Sequence, residues 1–180
     1  MFEVAGSETL ASPWGEAGVR AWQGALATAL ESTSGLDDTA QVDAIRALEE
    51  LVCTATAAQA ALSAELDAST RGARASQGVR PERQGVGIGA QVGLARRESP
   101  HRGAKHLGLA KIVAVELPHT WAAWRSGRIG EWRATLIARE TACLSLEHRL
   151  EVDRLIAGDM AALEAMGDRQ VASECAKHAA

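Results

Sequence analysis

The chain has no tyrosine, one phenylalanine and five tryptophans among its 180 residues. β-Branched residues are also sparse. Sheets draw stability from these side chains, so an extensive sheet is excluded, while the abundance of Ala, Leu, Arg and Glu favours helix. No apolar run approaches the 18 or so residues needed to cross a bilayer, so no spanning helix is expected. Met1, Phe2 and Glu3 place no basic region ahead of an apolar one, so no secretory signal is expected. The three cysteines, Cys53, Cys143 and Cys175, are far apart and odd in number. That excludes a short-range disulfide framework and fits reduced thiols in a cytoplasmic protein. Lysine is scarce too, three against sixteen arginines, which reflects a GC-rich coding sequence and carries no functional weight.

The formal net charge of −4 hides a strong asymmetry. Residues 1–70 carry two basic and eleven acidic groups, and residues 112–180 carry eight and ten. Between them, Arg71, Arg74, Arg80, Arg83, Arg96, Arg97, Arg102, Lys105 and Lys111 face only Glu82 and Glu98. A basic block inside an acidic chain points to a polyanion partner better than the overall pI does.

The spacing predicts an all-α protein: a long N-terminal helix packed on a multi-helix bundle that contains a helix-turn-helix-like pair. Residues 1–38 read as a flexible segment, loose over 1–13, with one helix over 14–30. Residues 39–180 read as the helical domain. Ile45, Leu48, Val52, Ala55, Gln59, Leu62 and Leu66 recur in steps of three and four, the spacing of a helix seam, and predict a helix over 39–68. Asp37 and Asp38 suit its start. Such a seam can lie along a domain or pair with a copy of itself. Residues 71–84 hold Gly72, Gly78 and Pro81 among charges and read as a mobile basic linker. A helix over 86–97 follows, thinned by glycines. Ser99 with Pro100 is a cap followed by a first-turn proline and opens a helix to about 117. Pro118 starts another, ended by Gly127. Helices over 129–142, 145–157, 160–165 and from 169 onward complete the series. The last has no terminal cap, as a truncated domain would show.

Arg102, Lys105 and His106 lie at steps of three and four on the helix after Ser99. Arg96, Arg97 and His101 flank the turn, and Lys111 lies further along. Side chains so spaced share a face and can meet successive phosphates, so these seven are the candidate DNA contacts. The competing reading is a solvated surface. Ile45, Leu48, Val52, Leu62 and Leu66 are the candidate interaction seam, through which a homodimer could form.

Four segments carry a resemblance: residues 46–62 (RALEELVCTATAAQAAL), 95–111 (ARRESPHRGAKHLGLAK), 116–141 (ELPHTWAAWRSGRIGEWRATLIARET) and 153–159 (DRLIAGD). Over about two thirds of its length the chain resembles domain of unknown function 222, found in repeat-family proteins of high-GC Gram-positive bacteria. In that family the domain commonly precedes an HNH endonuclease domain. The resemblance therefore implies a non-catalytic, DNA-binding accessory domain. An HNH site usually needs an asparagine to orient its histidine base, and this chain has none. Ser99 to Leu107, Leu117-Pro118, Trp121, Trp124, Gly127 and Ile129 are also similar to the helix-turn-helix region of ParB-type partition proteins. Gly103 there stands where such motifs carry a bulky apolar residue, and Arg96 where they carry a core residue.

Other constellations read as structural. Trp121, Trp124 and Trp132 could stack on bases, but their spacing with Ile129, Leu136 and Ile137 fits core better. Cys143 with His148, and Cys175 with His178, lack the double-cysteine knuckle of a zinc site, so no metal is expected. Gly85 to Gly89 has no preceding strand and no following Lys-Ser or Lys-Thr, so no nucleotide cofactor is expected either. Glu131, Glu140, Glu147 and Asp153 alternate with Arg133, Arg139, Arg149 and Arg154 and read as surface pairs rather than an acid-base dyad. The alternative to DNA binding is a helical interaction or dimerisation module with no nucleic-acid partner.

Overall fold

The computed structural model describes residues 15–32 and 35–179. The reading of residues 1–13 as loose lies outside them. Among the described residues there are ten α-helices, one 3-10 turn and no strand, so the all-α expectation holds. The chain divides into two units, Met1–Ile45 and Arg46–Ala180.

In the first unit, α1 (Glu16–Ala29) has an Arg20–Glu16 ion pair on its surface and buries none of its residues. A 3-10 turn, Leu30–Ser32, follows. Asp37 then accepts a hydrogen bond from the Ala40 amide at 2.8 Å and caps α2 (Asp38–Ser76), as its side chain predicts. This helix is longer than expected. It runs eight residues past position 68 because nothing breaks it: Gly72 costs helix propensity but leaves the hydrogen-bond ladder intact.

The second unit holds the rest of α2 and α3 (Pro81–Gln84), α4 (Ile88–Ala95), α5 (Pro100–Glu116), α6 (Pro118–Arg125), α7 (Glu131–Glu140), α8 (Leu146–Ala157), α9 (Met160–Ala165) and α10 (Asp168–Ala179). Residues 71–84, read as a linker, are instead largely helical and tied down. Arg71 bonds Asp67 at 2.7 Å, and Arg74 donates to the carbonyls of Gln84 and Val86 at 2.7 and 2.8 Å. A guanidinium that satisfies two loop carbonyls removes the reason for that loop to stay solvated.

The core joins Ala57 and Ala60 of α2 to Leu109, Ala110 and Val113 of α5, Trp124 of α6, Ile137 of α7, Ile156 of α8 and Val171 and Cys175 of α10. Trp124 is fully buried, meets Trp121 edge-on at 5.8 Å and donates its Nε1 proton to Thr56 at 3.0 Å, so its one polar atom is satisfied. Trp132, expected beside it, is exposed and bonds Asp168 instead. The face of α2 that packs is Cys53, Ala57, Ala60, Ser63 and Asp67, not the predicted seam. Small side chains let neighbours approach closely: a Cβ at Gly127 would stand 2.8 Å from the Glu50 carbonyl. Gly127 also has φ +82°, which only glycine adopts without strain.

Two residues read as members of surface pairs, Asp153 and Arg149, are instead internal ties. Asp153 is fully buried and accepts from the amides of His119 and Thr120 and from the Thr120 hydroxyl, capping α6 from across the domain. Arg149 is buried, pairs with Glu116 and donates to the Thr141 and Ala142 carbonyls at the end of α7.

Candidate nucleic-acid interface

Residues 88–116 form a helix-turn-helix pair whose crossing is made of glycine. A Cβ at Gly103 would stand 2.2 Å from the Gly89 carbonyl and 2.3 Å from the Gly93 amide, so α4 and α5 touch backbone to backbone. The absence of a bulky residue at position 103 is therefore a requirement of this pair. The turn itself runs through Arg97 at φ +58°, an uncommon left-handed conformation for a side chain of that size. Ser99 accepts a hydrogen bond from the Arg102 amide at 3.3 Å and Pro100 fills the first turn of α5, as the sequence predicts.

A charged cluster holds this turn. Arg96, with its side chain 13% exposed, makes a two-pronged contact with Glu131 of α7 at 2.7 and 3.2 Å. His106, 17% exposed, lies between two carboxylates: Nδ1 is 2.5 Å from Glu131 and Nε2 is 2.9 Å from Glu98. Each ring nitrogen of His106 is thus within hydrogen-bond distance of a carboxylate. The hydrogen bond from His106 draws the Glu98 carboxyl below its usual range. The cluster thus ties the turn, the start of α5 and the start of α7 together.

Two of the seven candidate contacts, Arg96 and His106, are turned into this cluster, and Lys111, though exposed, sets its ammonium 3.1 Å from the buried Asp67 carboxylate. Burial pushes Asp67 up, but hydrogen bonds from Arg71 and Lys111 outweigh it and the net displacement is downward. The other four face solvent. Arg97, His101 and Lys105 are exposed, and Arg102 is 68% exposed beside a 3.2 Å contact to Glu98. Arg80 and Arg83, on the approach to α4, are exposed as well. The missed members of the arrangement are Glu98 and Glu131. Glu98 sits eight residues before His106, but Glu131 is brought in by the fold from another helix.

The candidate seam residues Ile45, Leu48, Val52, Leu62 and Leu66 are all exposed. Among the described residues no group of three His, Cys, Asp or Glu side chains could hold a metal ion, and no helix is long and apolar enough to cross a membrane. Cys143 and His148 are on the surface, whereas Cys175 is buried, which pushes its thiol up to about 11. Compared with known proteins, the chain matches no family model, no curated protein and no solved structure.

Proposed function

We propose that this chain is a non-catalytic DNA-binding domain that meets the phosphate backbone through the turn between α4 and α5. The observation that carries the reading is the sorting of charge at that turn. Arg96 and His106 are used up in fixing its shape, which leaves Arg97, His101, Arg102 and Lys105 presented to solvent around the N-terminus of α5. A helix N-terminus adds its own attraction for phosphate. Contacts of this kind position a protein on a duplex without reading sequence, so binding is sequence-tolerant. In keeping with the resemblance to domain of unknown function 222, the chain acts in the cytoplasm as an accessory to an HNH-endonuclease-like activity whose catalytic residues lie elsewhere.

The test is fluorescence anisotropy of the chain with a labelled random duplex across a salt series, beside the combined Arg97→Ala, Arg102→Ala, Lys105→Ala variant. Three or four phosphate contacts predict a slope of log K against log salt of roughly −3. The variant should lose most of that slope and at least about tenfold in affinity at low salt. A folded sample that fails to bind at low salt would sink the reading. A second reading, a helical interaction module without DNA, is favoured by one specific observation, the exposed apolar stripe on α2.

A further inference from the structure

We propose that two copies of this chain associate through the exposed stripe of α2, as an antiparallel helix pair centred at the level of Ala57. The proposal is independent of the DNA reading. The stripe is Leu48, Val52, Ala55, Gln59, Leu62 and Leu66, a heptad seam with no charged group in it, and all six are exposed. At about 1.5 Å per residue it is about 27 Å long. The packed stripe of the same helix, from Cys53 to Asp67, is centred about 120° away around the axis at 100° per residue. Seating α2 on its own domain therefore leaves the larger, more apolar stripe in water, against the usual rule for an apolar surface of this extent.

Self-complementarity selects a second copy as the occupant. In the antiparallel register Leu48 meets Leu66 of the second copy, Val52 meets Leu62, and Ala55 meets Gln59. Each layer then fills to a similar volume, and the methyl of Ala55 makes room for the one polar side chain. In the parallel register Ala55 would face Ala55 and leave a void, while two Gln59 side chains would compete for one space. Charge agrees. The flanking Glu49 and Glu65 come opposite Ser63 and Leu51 of the second copy, so no like charges meet, and the helix dipoles oppose. Shape agrees at the ends. Gln59, Leu62 and Leu66 form one wall of an open groove of about 220 Å³ whose other wall is Gln91, Val92 and Ala95 of α4, and Leu48 of the second copy falls there. An interface about one helix wide lies at the low end of specific contacts, so the dissociation constant should be micromolar.

Sedimentation equilibrium of the full chain over the micromolar range should give a monomer–dimer equilibrium. Val52→Glu and Leu62→Glu, at positions already half exposed, should keep the helical circular dichroism and raise the dissociation constant at least about tenfold. The register is tested by a short thiol cross-linker in a Cys143→Ser background. Ala55→Cys with Gln59→Cys should give a covalent dimer, and Ala55→Cys alone should not. A chain that stays monomeric throughout, whether its stripe is bare or covered by its own N-terminal segment, overturns the proposal. So does a dimer indifferent to both glutamate variants, and cross-linking of the single cysteine variant overturns the antiparallel arrangement.

Discussion

Asp153 is a carboxylate with no solvent exposure that uses both oxygens on the first turn of α6. A helix that starts with Pro118 has amides at His119 and Thr120 with no partner inside the helix, and α6 carries no capping side chain of its own. The cap comes from α8 because α8 is already packed there through Val152 and Ile156. Asp153→Ala would strand two amides and a hydroxyl in the core and should cost about 3 kcal/mol in urea unfolding, with Asp153→Asn intermediate. A midpoint unchanged by the alanine substitution would mean that water replaces the carboxylate. Cysteine reactivity follows from the same accounting of environment. Burial pushes both Cys53 and Cys175 up, whereas Cys143 is on the surface. One thiol equivalent should therefore react quickly with Ellman's reagent at about pH 8, and two only on unfolding.

Helices α4 and α5 make the closest contact in the helix-turn-helix pair, and two glycines of α5 separate packing from propensity. Gly103→Ala drives a methyl into the Gly89 and Gly93 backbone and should destabilise by about 3 kcal/mol, because neither backbone can yield without opening the turn. Gly108 has nothing within 4 Å of its added Cβ, so Gly108→Ala should be neutral or add up to about 1 kcal/mol. Equal effects from the two would show that the crossing is looser than the backbone contacts imply. The tie between α2 and α5 has a pH signature. Asp67 is held below its usual range by Arg71 and Lys111, and its second oxygen has no partner. A lowered folded-state value means that its stabilisation is complete above the unfolded value, about 3.9, and fades as pH falls through the folded one. The stability gap between the wild type and Asp67→Asn should be widest near neutrality and narrow below about pH 4. A gap independent of pH would assign the effect to shape rather than charge.

The whole molecule shows which parts of a fold are local in origin. Starts at Ser99 and Ser145 were legible because capping chemistry is written within four residues, and Ser145 does accept from the His148 amide; Pro118 was legible as a first-turn proline, although its cap comes from Asp153. The inward turn of Arg96 was not, because its partner Glu131 lies 35 residues away. Periodicity found a stripe on α2 but could not choose between two: the small residues were buried because they admit Trp124 and α5, and the large ones were left outside. Only part of the candidate interface was therefore readable, namely the exposed residues at the turn. The division into two units leads to a last prediction. Among the described residues, none of α1 is buried, and the first buried residue of α2 is Cys53. A chain starting at Leu36 keeps the Asp37 cap and the complete stripe. It should unfold in one transition within about 3 °C of the full chain, because none of the described residues it lacks is buried, and it should still dimerise. A midpoint about 10 °C lower would show that the N-terminal unit stabilises the second one, and loss of dimerisation alone would move the interface into the deleted residues.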